Sequence, residues 1–308
     1  MKKIAALLFA LIMLFSLAAC GAHTTEKDGT ISTNPDENTM EQPTATQEET
    51  TETVENEIPF TEMVAIDNEE CSIKFTGIEA DNIWGYTVKT VLENKSSDKT
   101  YMFAIESASI NGVQCDPFFA TEVVAGKKSN EKISFADDSF EKSGITEVTD
   151  IEITFRVYDS EDWSADAVAE ETVHIYPYGE EKAVKFVREA QPSDNVIINN
   201  DAVTVTVTGY GYDDIMGYTV HLFLENKTDK RVMFSVEAAS VNGFMADPFY
   251  AYTVSSGTCA FSSISWADST LKENDISDVE TIEFNFRAYD EENWSDDDLA
   301  NETITLNP

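Results

Sequence analysis

From Ile151 to Val157 the chain alternates without a break: Ile151, Ile153, Phe155 and Val157 are apolar and the residues between them polar. Ile282 to Ala288 repeats the pattern, and Val203 to Thr208 alternates Val with Thr. A period of two belongs to a strand with one face on a core and one in water. Runs of this kind predict seven or eight strands between Thr61 and Pro177, at about 70–78, 84–93, 100–110, 113–115, 119–125, 131–136, 149–158 and 170–176, and as many again at the same offsets beyond. Asn111-Gly112 and Asn242-Gly243 sit between apolar residues and predict two-residue hairpin turns, whose central positions both need positive φ. No stretch after Thr61 carries a sustained helical period.

The strands come in two matching sets. Gly85-Tyr86-Thr87-Val88 returns as Gly217-Tyr218-Thr219-Val220, and Leu92-Glu93-Asn94-Lys95 as Leu224-Glu225-Asn226-Lys227. Asn111-Gly112, Asp116-Pro117-Phe118 and Phe155-Arg156-x-Tyr158-Asp159 return as Asn242-Gly243, Asp247-Pro248-Phe249 and Phe286-Arg287-x-Tyr289-Asp290. The offset is 132 residues up to Lys95 and 131 beyond it, so one residue of a loop separates the copies. A period of this length is that of a duplicated domain, not of a solenoid unit. The boundaries follow: a first repeat at 61–177, a linker at 178–192 and a second repeat at 193–308. Val184, Phe186 and Val187 give the linker apolar positions that would pack as a short helix or an added strand. Many short strands in so short a domain point to an antiparallel β-sandwich, with a closed barrel as the alternative.

The N-terminus has a different character. Lys2 and Lys3 precede an almost unbroken apolar stretch from Ile4 to Leu17, the layout of a secretory leader too short to span a membrane as a helix. Leu17-Ala18-Ala19-Cys20 then resembles the lipobox of bacterial lipoproteins. That resemblance implies cleavage after residue 19, lipidation of the Cys20 thiol, and anchoring at the outer face of a bacterial membrane. An ordinary secretory leader with an incidental cysteine is the alternative. Residues 20–60 are rich in Thr, Glu, Asn, Pro and Gln, a composition that predicts a disordered acidic stalk. Such a stalk spans roughly 35 Å and at most ~130 Å when straight, which would keep the repeats near the membrane.

The formal charge of −38 becomes −40 once Lys2 and Lys3 are cleaved away, with 18 basic against 58 acidic residues. That excludes nucleic acid as a partner and disfavours an electrostatic grip on anionic lipid. The cysteines beyond Cys20 are Cys71, Cys115 and Cys259, opposite Val203, Ala246 and Lys128 in the other copy. An odd number without shared positions argues against a disulfide framework, and a private Cys71–Cys115 bridge is the alternative.

Catalytic chemistry finds no support. His23 lies in the stalk, and His174 and His221 face Thr305 and Lys89 in the other copy. No nucleophile, phosphate loop or metal motif recurs, so no catalytic residue is assigned and no enzyme is expected. The acidic loops after Tyr158 and Tyr289 are the candidate binding sites. Asp159 and Asp162, with Asp290 and Glu292, would supply oxygens to calcium, although the glycine and terminal glutamate of an EF-hand loop are missing at their spacing. Trp163 and Trp294, with Tyr158 and Tyr289 on the preceding strands, would form an aromatic platform for carbohydrate; the plainer alternative is that the tryptophans pin solvated loops to the sandwich edge. Trp266, opposite Phe135, is expected in the core, and Trp84, opposite Met216, at an apolar packing position. Arg156 and Arg287 are expected to pair with acids, and the Asp-Pro-Phe segments to be turns whose phenylalanine re-enters the core.

A strand ending in Glu-Asn-Lys-Ser/Thr, an Asn-Gly hairpin, a Gly-Lys turn and a late Ile-x-Ile-x-Phe strand resemble immunoglobulin-like domains of secreted Gram-positive lipoproteins, some grouped with telokin-like or immunoprotective-antigen folds. The resemblance spans most of each repeat and implies fold and location without supplying site residues. The expectation is therefore an all-β chain of two tandem antiparallel immunoglobulin-like β-sandwiches behind a leader and stalk. Its role would be a non-catalytic binding, adhesion or spacer module on the cell surface, with a glycan or protein partner. A calcium-rigidified spacer is the other alternative.

Overall fold

The computed structural model describes residues 57–308, Phe249 excepted, so the leader, Cys20 and nearly all of the stretch read as a stalk lie outside the described residues. The first repeat runs β1 (Glu57–Ile58), β2 (Met63–Asp67), β3 (Cys71–Glu79), β4 (Tyr86–Asn94), β5 (Tyr101–Ile110), β6 (Val113–Gln114), β7 (Ala120–Val123), β8 (Lys128–Phe135), α1 (Asp137–Ser143), β9 (Ile151–Asp159) and β10 (Ala169–Ile175). The second runs β11 (Asn195–Asn199), β12 (Val203–Asp213), β13 (Gly217–Asn226), β14 (Val232–Val241), β15 (Phe244–Met245), β16 (Ala251–Val254), β17 (Cys259–Trp266), α2 (Asp268–Glu273), β18 (Ile282–Asp290) and β19 (Ala300–Leu306).

Each repeat is an antiparallel sandwich of two sheets, not a closed barrel. In the first, β2 and β1 pair along β3, followed by β4 and β8, and this sheet faces β10-β9-β5 with β6 and β7 along the far edge of β5. The second repeats this order from β11 to β19, β1 having no counterpart. The alternating residues converge as predicted: Ile151, Ile153, Phe155 and Val157 join one core with Phe75 and Phe103, and Ile282, Phe284 and Phe286 join the other with Phe234 and Trp266. Trp266 also donates its indole N–H to the Ala246 carbonyl at 2.6 Å.

Several expectations need correction. Strand pairing begins earlier than residue 61, because Glu57 and Ile58, inside the stretch read as stalk, pair with Glu79 and Ile78. Strands β2 and β11 were not predicted, since a register shift interrupts the period of two in each. Two one- to two-turn helices follow β8 and β17, each starting just after an extended alanine. Trp84 and Met216 are exposed at a hairpin tip, not packed, and so are their neighbours Ile83 and Ile215. Phe118 is fully exposed, and the next residue, Phe119, re-enters the core instead, as Tyr250 does in the second copy. Among the described residues Cys71, Cys115 and Cys259 are free, with Cys71 and Cys259 buried. Burial pushes the Cys71 thiol up to about 11 and the Cys259 thiol up to about 12.

The polar residues that both copies keep satisfy backbone groups where the strands cannot. Asn94 is 1% exposed; its amide donates to the Lys99 and Val123 carbonyls at 2.8 and 2.7 Å, and its oxygen accepts the Ser96 N–H. Asn226 does the same for the carbonyls of Lys230, Val254 and Ser255 and for the Thr228 N–H. Asn111 and Asn242, at φ 51° and 50°, turn the hairpins and accept from the backbone before β9 and β18. Asp116 and Asp247 accept the Ala108 and Ala239 amides beside the β5 and β14 bulges. Gly85 and Gly217, at φ 91° and 81°, lie so close to β8 and β17 that a Cβ would fall 2.0 and 2.2 Å from the Phe135 and Trp266 carbonyl oxygens.

The two sandwiches are joined edge to edge. Strand β6 pairs in parallel with β17 through Val113 and Cys259, which makes one nine-stranded sheet out of a sheet from each copy. Gln114 accepts the Ser255 N–H at 2.7 Å and donates to the Thr253 carbonyl at 2.8 Å. The linker is a 3-10 turn at Glu180–Lys182 followed by an extended segment, not a strand, and Phe186 wedges its ring between Phe223 and Phe261. Arg188 lies over Phe223 and forms a two-bond pair with Asp194.

Truncating a buried asparagine strands several backbone groups at once, and each such group costs ~1–3 kcal/mol. Asn94→Ala and Asn226→Ala are each expected to lower stability by about 2–3 kcal/mol in urea unfolding, far beyond a surface substitution such as Asn130→Ala.

Candidate functional site

The candidate loops follow β9 and β18, where the sheets end and the chain turns back. In the first copy Asp159 accepts the Glu161 N–H at 3.1 Å, and Asp162 accepts from the Ser164 N–H and hydroxyl at 3.2 and 2.8 Å. These two side-chain turns are short-range alternatives to regular structure, and they fix the loop without burying any of it. Val168 then rejoins β9 through the Val157 carbonyl. Trp163, between the turning residues, is 74% exposed.

The second loop is held by equivalent partners, since Lys99 lies 3.2 Å from Asp159 in the first copy and Lys230 pairs with Asp290 in the second. Asp290 is buried; it accepts from the Glu292 and Asn293 amides and from Lys230 Nζ at 2.6 Å. Trp294 is 72% exposed. Exposure of both indoles removes the reading in which they pin the loops to the sandwich edge, since an anchor must lose its contact with water.

Beneath each loop an arginine covers the preceding tyrosine. The Arg156 guanidinium lies 4.5 Å from the centre of the Tyr158 ring and donates to the Trp163 carbonyl at 3.1 Å. Arg287 lies 5.0 Å from the Tyr289 ring, forks onto both Asp298 oxygens at 3.0 and 2.9 Å, and reaches Glu237 at 2.8 Å. Stacking of this kind contributes ~0.5–1 kcal/mol at an exposed site and stiffens the platform more than it stabilises the fold. Arg156 and Arg287 thus pair with acids as expected, Arg156 at the longer distance of 3.9 Å from Glu106.

The structure brings Tyr158 and Trp163 together through Arg156 and places Asp159 and Asp162 in the same loop; in the second copy Arg287 stacks on Tyr289 but bonds Asp298 and Glu237, not Trp294. The oxygens proposed for calcium are already engaged: Asp159, Asp162 and Asp290 bond their own loop's amides, and Asp159 and Asp290 each also pair with a lysine, Lys99 and Lys230. Glu292 is exposed. Among the described residues no three His, Cys, Asp or Glu side chains are grouped so as to hold a metal ion. Sequence reasoning missed Lys230 and Asp298, because each is defined by a partner distant in the chain.

No family model matches the chain, and no curated protein matches it. Among solved structures the chain is similar to the YadV chaperone, at 10% identity and a TM-score of 0.23, over 71% of this chain and 92% of that one. A red sea bream transglutaminase is similar at 10% identity and a TM-score of 0.23, over 79% of this chain and 31% of that one. The CsuC–CsuE chaperone–tip adhesion subunit complex of Acinetobacter baumannii is similar at 11% identity and a TM-score of 0.19, over 71% and 90%. The class of protein is defined by its architecture: an all-β chain of two antiparallel β-sandwiches.

The hydrogen bond from Lys230, with those from Asn293, holds the Asp290 carboxyl down from 3.8 to about 2. A carboxyl depressed in the fold stabilises it above the unfolded value, and that stabilisation is lost as pH falls through the folded one. The second loop should therefore stay ordered down to about pH 4 and loosen between there and about pH 2. Amide NMR shifts of Glu292 and Asn293 would follow the transition, and Asp290→Asn should remove it.

Proposed function

We propose that the chain is a lipid-anchored extracellular lipoprotein of a bacterial membrane whose two sandwiches bind carbohydrate or cell-wall material through the Trp163 and Trp294 loops. The observation that carries this reading is the exposure of an indole at the same loop position in both copies, 74% and 72%, each on a loop tied down by its own aspartates. A flat aromatic face in water has unspent hydrophobic surface, and the apolar face of a sugar ring covers it while hydroxyls reach the flanking acids and amides. Preset loops lose little entropy on binding, which favours the bound state. Exposed Glu161 beside Trp163, and exposed Glu292 and Asp296 beside Trp294, suit hydroxyl recognition, and strong acidity keeps anionic polymers away.

The location rests on Leu17-Ala18-Ala19-Cys20 and the apolar stretch before it. Lipid chains on Cys20 would tether both loops at the cell surface, where repeated weak contacts sum to firm attachment. The proposed role is binding: the loops present exposed aromatic faces above carboxylates that bond the loops' own amides.

Trp163→Ala and Trp294→Ala should each weaken retention on a glycan array or envelope preparation by about tenfold or more, as for a central aromatic contact, and the double variant should abolish it. Their melting temperatures should stay at the wild-type value, because exposed residues contribute within about 0.5 kcal/mol. Unchanged retention would remove the carbohydrate reading. A Cys20→Ala variant should leave the membrane fraction, and its persistence there would remove the anchor.

A further inference from the structure

The joint between the sandwiches is made of two edge strands, and a second copy of each is unjoined among the described residues. In the joint, β6 supplies Val113 and Gln114, which are 3% and 7% exposed, and β17 with the turn before it supplies Ser255 and Cys259. The counterpart of β6 is β15, at the edge of its sheet, and the counterpart of β17 is β8, at the edge of its own. Edge strands offer unpaired backbone groups to any chain that can align with them.

The side chains on these free edges match each other. Where the joint has Val113 and Gln114, β15 has Phe244 and Met245, both large and apolar yet 51% and 64% exposed. Where the joint has Ser255, the turn before β8 has Val124, 54% exposed. The Gln114 side chain that accepts the Ser255 backbone N–H in the joint has no polar counterpart on β15, and the two free edges instead carry Met245 and Val124, exposed apolar groups that a contact between them would cover. Charge agrees. Lys127 and Lys128 stand exposed beside the β8 edge, whereas Asn242 bonds the Asp278–Thr281 segment beside β15 and so sets Asp278 and Glu280 there.

We propose that β15 of one molecule docks on β8 of a second copy of this chain, repeating between molecules the joint that β6 and β17 make within one. Such a contact is heterologous: each molecule keeps one free β15 edge and one free β8 edge, so association extends head to tail instead of closing as a dimer. It lacks the Phe186 wedge, which belongs to the linker inside one chain, so it is weaker than the internal joint. Molecules tethered to one surface would be concentrated enough to form it.

Sedimentation velocity of the full-length mature protein tests this. The expected result is a concentration-dependent rise through dimer to longer species. Met245→Asp and Val124→Asp should each leave a monomer, and a mixture of the two should form a dimer that grows no further, because each variant retains the edge that the other lacks. Circular dichroism melts matching wild type would show that both variants fold, and Lys128→Glu gives a second acceptor variant away from the apolar contact. A wild-type protein monomeric at every concentration, association that survives both substitutions, or a mixture that stays monomeric would each overturn the proposal.

Discussion

Backbone polar groups that no strand can pair set the terms for this molecule. Where a sandwich passes its chain from one sheet to the other, or a bulge breaks a ladder, carbonyls and amides would be buried without partners, and each would cost on the order of 1–3 kcal/mol. Asn94 and Asn226 satisfy those at the β4–β5 and β13–β14 crossings. Asn68 and Asn200 do so at the turns into β3 and β12 and reach across to the Val168 and Leu299 carbonyls. Lys95 and Lys227, beside the crossing asparagines, donate to the carbonyls of Asn68 and Asn200 and tie one bracket to the next. The motifs that repeat along the chain are therefore demanded by the fold, and their recurrence needs no shared ligand.

Freed from that demand, other positions diverge between the copies, and divergence builds the joint. Lys128 and Asn130 stand where the second copy has Cys259 and Phe261, and only the second set forms an apolar seat for Val113 and Phe186. At the same joint Arg231 lies 2.9 Å from Glu291 and 3.6 Å from Glu106 of the first sandwich. Burial first, and Glu170 next, raise the Glu106 carboxyl above its ordinary range, opposed by Arg231 and Arg156. One ancestral sandwich has become two that are no longer interchangeable, with a Trp-bearing loop left exposed on each.

Much of this was legible in the sequence for plain reasons. Alternation marked β9, β12 and β18 because each has one face on a core, and Asn-Gly marked the hairpins because positive φ restricts the choice of residue. Strands β2 and β11 escaped because a bulge puts two residues opposite one and breaks the period. The helices escaped because 7 and 6 residues are too few to display a period of 3.6. Trp84 and Phe118 were misplaced because residue type suggests burial but only topology says which side of a turn faces water. The loops were located correctly, while the outward aim of Trp163 and Trp294 depends on hydrogen bonds, such as Lys230 to Asp290, that join residues 60 apart in the chain.

Native-state amide hydrogen exchange tests the central claim most directly. Ser96, Thr228, Ala108 and Ala239 lie in turns or at bulges, where amides ordinarily exchange through local fluctuation. Each donates to a repeated asparagine or aspartate, and two of those acceptors are almost wholly buried. If these side chains hold the sandwiches together, the four amides should exchange only with global unfolding of their domain, as slowly as the core strands. Exchange at the rate of the exposed Trp163 and Trp294 loops would contradict the account.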